Sequence, residues 1–406
     1  MTLEHTLCLN TYGTSDTFEV APVFTVTERA VLDRFAATVG DKFAASHDGL
    51  FVPGSSVGNM YALILARHRL FPDVATKGMA AAGRLVAFVS QEAHYSYLKS
   101  VKALGIGSDN LVTVRTDEHG RMDPEALGEA ITATKADGGT PFFVGATSGT
   151  TVIGAFDPLR KVSRVCRQHD GVWLHVDAAW GGGALVSPSH RHNLDGADDA
   201  DSLTCSLHKM LGATMQCSIF VTRHTDALRA ANAANAAYLF QPDKLHSECD
   251  VGDKSIQCGR KADGFKMWVM WKSLGDQGLA RRVDHLFHLA SHTATQIKES
   301  EGAFVMAYTP SCTNVCFWYV PEALRPLPAL CALSAEHPVH AVAPRIKAAM
   351  QQAGDAMIGF TSINGRPNFF RWVFASADSV TLDDIDAILQ RIAVLGEEQP
   401  AAPLPA

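Results

Sequence analysis

VWLHVDAAWGGG, residues 172–183, decides the fold. The run at 172–176 is apolar and too short to be a helix, and it stops at an aspartate followed by small residues and three glycines. Comparable short runs lie at 84–90, 110–114, 141–146, 202–205 and 217–221, and amphipathic stretches lie among them at 57–69, 124–135 and 159–169. Strands that alternate with helices predict an α/β fold: a mostly parallel sheet with helices on both faces. Ligands of such open sheets bind beyond the carboxyl ends of the strands, which is where Asp177 falls.

The pattern changes towards the C-terminus. A helix at 286–300, strands near 304–308 and 315–320, a helix near 344–353, a strand pair within 358–374 and a last helix at 382–395 read as an α+β layer. The expected organisation is an N-terminal arm with a helix at 26–39 (residues 1–45), a large domain (46–295) and a small C-terminal domain (296–406). The closing EEQPAAPLPA reads as a frayed tail.

Composition narrows the function. The chain has 406 residues, of which 47% are hydrophobic and 19% charged, the profile of a globular enzyme. Its net charge of −7 disfavours nucleic acid and anionic membrane surfaces and favours a small-molecule substrate. Nine scattered cysteines without paired CxxC spacing read as reduced thiols, with no metal site. The opening MTLEHTLCLNTYG has no signal-peptide pattern, and no apolar run reaches the roughly 18 residues of a membrane span. A cytoplasmic protein is expected.

Two residues point to a cofactor. Pyridoxal 5′-phosphate (PLP) chemistry needs a lysine to form a Schiff base and an acid to keep the pyridine nitrogen protonated. Asp177 follows the strand WLHV, and Lys209, in SLTCSLHKMLG, follows the next one. Singly, each has an ordinary reading: a strand-end aspartate caps a helix, and a lysine is solvated surface. Their joint placement favours the cofactor.

The chain resembles the group II PLP-dependent amino acid decarboxylases, in particular the glutamate, cysteine sulfinate and aspartate decarboxylase branch. The resemblance rests on ten ordered segments: PGSSVGNMYA, AHYS, GATSGTTVIGAFDP, HVDAAWGGG, HKMLG, QCS, YLFQPDK, GDKSIQCGR, TNVCFWY and NFFR. It implies the PLP fold type I, with a large cofactor-binding domain. It also implies that His94 stacks on one face of the cofactor ring and Ala179 touches the other. The amides of Ser56 and Val57, at the start of a helix, would receive the phosphate, aided by Ser206 and His208, and Thr151 would contact the cofactor. Taken alone, His94 reads rather as a structural histidine and Thr151 as a turn cap, and the serines read equally as an N-cap.

Arg371, within the apolar NFFRWV, either pairs with an internal carboxylate or, as the resemblance implies, binds a substrate carboxylate. The resemblance further implies a homodimer with shared active sites, Gly259 approaching the neighbouring cofactor. In such enzymes a loop tyrosine returns a proton to Cα after carbon dioxide leaves. Here QPDKLHSECDVGDK has His246 at that place, either a replacement acid or a surface histidine without a role. Two other departures are Ser206-Leu207 in place of Asn-Pro, and a start about a hundred residues later than typical relatives. The expected reaction is α-decarboxylation of an acidic amino acid. Aspartate or a substituted aspartate is favoured, ahead of cysteine sulfinate and glutamate. The alternatives are a carrier-protein-tethered substrate, aldehyde synthase or aminotransferase chemistry, and an inactive homologue.

Overall fold

A computed structural model of the chain describes residues 17–241, 243–328, 337–375 and 377–398. By compactness it divides into two units, one holding the residues up to Thr151 together with Phe156–Val283, the other Val152–Ala155 and the residues from Asp284 on.

The first unit is built on seven strands: β1 (Asp48–Val52), β2 (Leu85–Ser90), β3 (Leu111–Val114), β4 (Thr140–Thr147), β5 (Trp173–Asp177), β6 (Ser202–Ser206) and β7 (Ser218–Thr222). Their order is β1-β7-β6-β5-β4-β2-β3. The five strands from β3 to β6 pair in parallel, whereas β7 runs antiparallel to both β6 and β1. The six strand runs read from the sequence are all present to within a residue or two. Strand β1 was not among them. The parallel strands β2 and β5 are buried along their whole length, as strands covered on both faces must be, which accounts for their largely apolar runs, and β6 and β7 are buried throughout as well.

Helix α1 (Pro22–Val39) starts four residues before the predicted 26, with proline in its first turn, where a missing N–H costs nothing. Helix α2 (Ser55–Leu70) follows β1, α3 (Ser96–Ala103) follows β2, and α4 (Pro124–Ala136) begins at Asp123, whose side chain accepts the N–H groups of Glu125 and Ala126. Helix α5 (Leu159–Arg167) precedes β5. The core joins Leu63 and Tyr61 of α2 to Val89, Phe142, Trp173 and Phe220 of the sheet. From β2 the chain goes to β3 on one side, then crosses back to β4 on the other. That reversal opens a crevice at the carboxyl ends of β2 and β4.

Helix α2 lies hard against β6. A Cβ on Gly58 would come within 2.2 Å of Thr204 Oγ1. That hydroxyl is committed to the Ile219 carbonyl at 2.8 Å, so it does not swing aside freely. Gly58→Ala should therefore lower the unfolding free energy by about 1–3 kcal/mol. The denaturation midpoint of the apoprotein measures this, and an unchanged midpoint would mean that the helix can lift without loss.

The helical stretch α6 (Asp263–Lys298) is interrupted at Gly275, where φ is 65°, and runs from the first unit into the second. The second unit has an antiparallel sheet of β8 (Phe304–Tyr308), β9 (Asn314–Tyr319), β10 (Gly359–Thr361) and β11 (Phe369–Val373), in the order β10-β11-β9-β8. Helices α7 (Val339–Ala353) and α8 (Leu382–Glu398) complete it. Its core contains Tyr308, Trp318, Val320, Val339 and Phe369. The predicted helix at 344–353 begins earlier, at Val339, with Pro344 inside it. Helix α8 extends through Glu397 and Glu398 of the expected tail, and the rest of that tail lies outside the described residues. Among the described residues no helix is long and apolar enough to cross a membrane.

Candidate active site

The carboxyl ends of the central strands enclose a cavity in the first unit. Its walls come from the start of α2 (Gly54, Ser55, Ser56, Asn59), from His94 and Tyr95 after β2, and from Thr147, Gly149 and Thr151 at and after β4. Asp177, Ala179 and Trp180 close it at β5, and Ser206, His208 and Lys209 at β6. Gly149 has φ 86°, and a Cβ there would stand 2.6 Å from the Gly181 amide nitrogen, so only glycine fits this wall. A wider concavity of the same unit lies between Ala30, Arg34, Trp268 and Gly275; its Arg34 is spent on Asp276 and its Lys272 lies over the Trp268 ring.

Lys209 is positioned by its turn. Its amide donates to the Ser206 carbonyl at 3.0 Å, and the adjoining Met210 and Leu211 are fully buried. Asp177 is 3% exposed and is held by two donors, the Ala179 amide on Oδ1 at 3.0 Å and Asn59 Nδ2 on Oδ2 at 2.8 Å. His94 Nδ1 accepts the Ser96 amide at 3.2 Å, which leaves the proton of the neutral ring on Nε2. Burial lowers its pKa, assisted by Lys209 and Lys99 and opposed by Asp177, so the ring is neutral at neutral pH.

The Ser55 and Ser206 hydroxyls are 2.6 Å apart, and Ser206 also meets Ser218 at 3.0 Å. The start of α2 differs in one respect from the sequence reading. Val57 is not on the cavity wall, and its amide donates to the Gly54 carbonyl at 3.0 Å. Ser55 takes its place, because the helix begins two residues before the predicted 57 and its first N–H groups, which have no carbonyl one turn back, belong to the serines. His246 is also not on this wall. Its ring lies against Phe18, with centroids 4.6 Å apart, and Nδ1 is 3.3 Å from Glu248.

Arg371 belongs to the second unit, on β11 between Cys316 of β9 and Gly359 of β10. It is partly buried, which lowers its pKa, and among the described residues its buried Nε has no hydrogen-bond partner and no carboxylate pairs with it.

The sequence reading passed over Asn59, Thr147, Trp180 and His175. His175 is fully buried in β5, with Nδ1 2.8 Å from Ser202 Oγ and Nε2 3.0 Å from Asn59 Oδ1. Burial pushes its pKa down to about 3. Between that value and an unfolded pKa near 6.5 the unfolded chain binds the extra proton, so this residue makes stability fall as pH falls, by up to about 1.4 kcal/mol per pH unit. Asp157, pushed up to about 7 by burial, has the opposite slope above its ordinary 3.8. The difference between wild type and His175→Gln therefore carries the signal. The apoprotein's unfolding free energy should lose less on acidification from pH 6.5 to 4 in the variant, and equal losses would refute the assignment.

The conserved domain described as the pyridoxal-dependent decarboxylase conserved domain matches residues 6–320. The chain belongs to the pyridoxal-dependent decarboxylase family. It is 45% identical over 384 residues to acidic amino acid decarboxylase GADL1 of Bos taurus, covering 94% of this chain and 72% of that one. It is 44% identical over 389 residues to human cysteine sulfinic acid decarboxylase, covering 94% and 76%. The crystal structure of mouse CSAD superposes with a TM-score of 0.91 at 42% identity, over 98% of this chain and 81% of that one. The protein is a PLP-dependent carboxy-lyase of fold type I.

The cavity suits that cofactor chemically. It offers one lysine amine, one anchored carboxylate, the N-terminus of an α-helix with serine hydroxyls beside it, and two buried polar atoms, Thr147 Oγ1 and Trp180 Nε1, that have no hydrogen-bond partner among the described residues.

Proposed function

We propose that this decarboxylase removes the α-carboxyl group of an acidic amino acid, with aspartate or a substituted aspartate ahead of cysteine sulfinate and glutamate. The observation that carries the substrate class is Arg371, a partly buried guanidinium that no carboxylate among the described residues pairs with. A cation in that position has a bidentate site to offer, and a side-chain carboxylate or sulfinate of the substrate satisfies it. The names of the two relatives, which act on acidic amino acids and cysteine sulfinic acid, support the same class.

PLP supplies an electron sink for the carbon that loses carbon dioxide. The chain's residues supply the rest. Lys209 anchors the cofactor through its amine. Asp177 holds the proton on the ring nitrogen. The neutral imidazole of His94 and the small side chain of Ala179 bound the space for the ring. Ser55, Ser56, Ser206 and His208 form the phosphate end, and Thr151, also on the wall, contacts the cofactor. Two chains form a homodimer, in which Gly259 and the loop of His246 serve the neighbouring site, His246 returning a proton to Cα. The scattered cysteines support work in the cytoplasm.

The test gives the holoenzyme aspartate, cysteine sulfinate and glutamate in parallel. Carbon dioxide and amine should form from one of them. Arg371→Met should lower kcat/KM for that acid by about 10²-fold or more, since truncating one side of a buried charge pair is worth about 2–5 kcal/mol. A variant as active as wild type would remove Arg371 from substrate binding. Silence with all three free acids would favour the carrier-tethered substrate, and aldehyde with ammonia in place of amine would favour synthase chemistry.

A further inference from the structure

From Asn59 on the cavity wall, a row of buried polar groups runs from Asp177 into the interior through His175 and Ser202 to Trp173, and its hydrogen bonds all point towards the carboxylate. The carboxylate only accepts, so Asn59 must turn its amide nitrogen towards it. Nδ2 donates to Asp177 Oδ2 at 2.8 Å and to Ser96 Oγ at 2.9 Å, which uses both of its hydrogens. Asn59 Oδ1 is then an acceptor, and His175 Nε2, 3.0 Å away, must carry the ring proton. That leaves Nδ1 to accept from the Ser202 hydroxyl at 2.8 Å, while Ser202 Oγ itself accepts Trp173 Nε1–H at 2.8 Å. Asn59, His175, Ser202 and Trp173 are at most 1% exposed, so water does not compete.

We propose that Trp173, Ser202, His175 and Asn59 form a one-way chain of donors that holds the Asp177 carboxylate in a single orientation towards the cofactor's ring nitrogen, with His175 as the positioning residue. The inference rests on the reading of Asp177 as the partner of the cofactor's ring nitrogen. His175 touches neither cofactor nor substrate and acts through Asn59. Phe143 and Phe220 hold its ring, with centroids at 6.0 and 6.1 Å, so the imidazole cannot turn over to present its other nitrogen. Burial also keeps it neutral, with a pKa of about 3, and a neutral imidazole is the only form that can accept at one nitrogen and donate at the other. The ionisable neighbours of Asp177 on the cavity side are His94 and Lys209, and Tyr97 and Cys205 are buried near it. Hydrogen bonds in such a row polarise one another, so a cut at its far end weakens the last donor.

The test is the 15N resonance of PLP labelled at the ring nitrogen and bound to the enzyme, read together with the cofactor dissociation constant. Asp177→Ala should shift the resonance of the protonated nitrogen towards the unprotonated position. His175→Phe should move it part of the way and weaken cofactor binding about ten-fold, the size of one charge-assisted hydrogen bond. His175→Gln, whose amide can accept and donate, should restore both. Ser202→Ala, a smaller cut, should act in the same direction and takes the place of His175→Phe should that variant not fold. The relay is overturned if Asp177→Ala moves the resonance while the folded cuts do not, or if the phenylalanine and glutamine variants behave alike. An unmoved resonance in Asp177→Ala would instead overturn the reading of Asp177, and the relay with it.

Discussion

Lys209→Ala should lower kcat by about 10³-fold or more, because it removes at once the proposed anchor of the cofactor and an amine available for proton transfer. The size of the effect follows from the cavity's inventory. Among the described residues Lys209 is the only lysine on its wall, with no second amine placed to take over, and the turn that presents it is fixed by the bond to the Ser206 carbonyl and by the buried Leu207 and Met210. The check is direct: reduction of the holoenzyme with borohydride, followed by peptide mapping, should fix the cofactor on Lys209 in the wild type and nowhere in the variant. An adduct on another lysine, or a variant that turns over normally, would dismiss the assignment.

Asp177→Asn should cost about 10²- to 10³-fold in kcat while leaving the fold intact. The change is nearly isosteric, so packing is preserved, but the two donors that hold the carboxylate do not both accept an amide. With the amide oxygen towards Asn59, the amide nitrogen confronts the Ala179 N–H, and turning it over places the nitrogen against Asn59 instead. One buried donor is left facing another in either orientation, and the negative charge that would keep the ring nitrogen protonated is gone. Steady-state kinetics with a measured melting temperature separates the two consequences. A large loss of stability without loss of kcat in the remaining folded enzyme would mean that Asp177 is structural.

The parallel core was legible because strands buried on both faces cannot hide their composition. Phe142, Phe143 and Val144 in β4, or Trp173 and Leu174 in β5, stand out from any polar background. Strand β1 did not stand out. It is five residues long and opens with Asp-Gly, a pair that ordinarily signals a turn, and its partner β7 lies about 170 residues further along. Lys209 and Asp177 were readable from their places at strand ends. His175 was hidden by its own neighbours, since Trp173, Leu174 and Val176 make the segment look uniformly apolar. Yet a histidine on a strand buried on both faces has no water to turn to and must find partners inside, and that requirement was the available signal. The difference between Val57 and Ser55 came from the helix start, the least determinate feature of any helix read from sequence. The roles proposed for Arg371 and His246 involve a substrate and a neighbouring chain, which no local stretch of sequence reports.

The long range of these contacts fixes when the site can exist during synthesis. Asn59 waits for Asp177, 118 residues later, and Ser55 waits for Ser206, 151 residues later. At translation rates of about 5–20 residues per second, helix α2 leaves the ribosome roughly ten to thirty seconds ahead of the strand that completes its serine pair. Edge strand β1 stays unpaired for longer still, because its only neighbour in the sheet is β7. A nascent chain that stops short of Thr222 therefore carries an open sheet edge and half a cofactor cradle, and it is in this interval, before the site closes, that the protein is most exposed to pairing with the wrong partner.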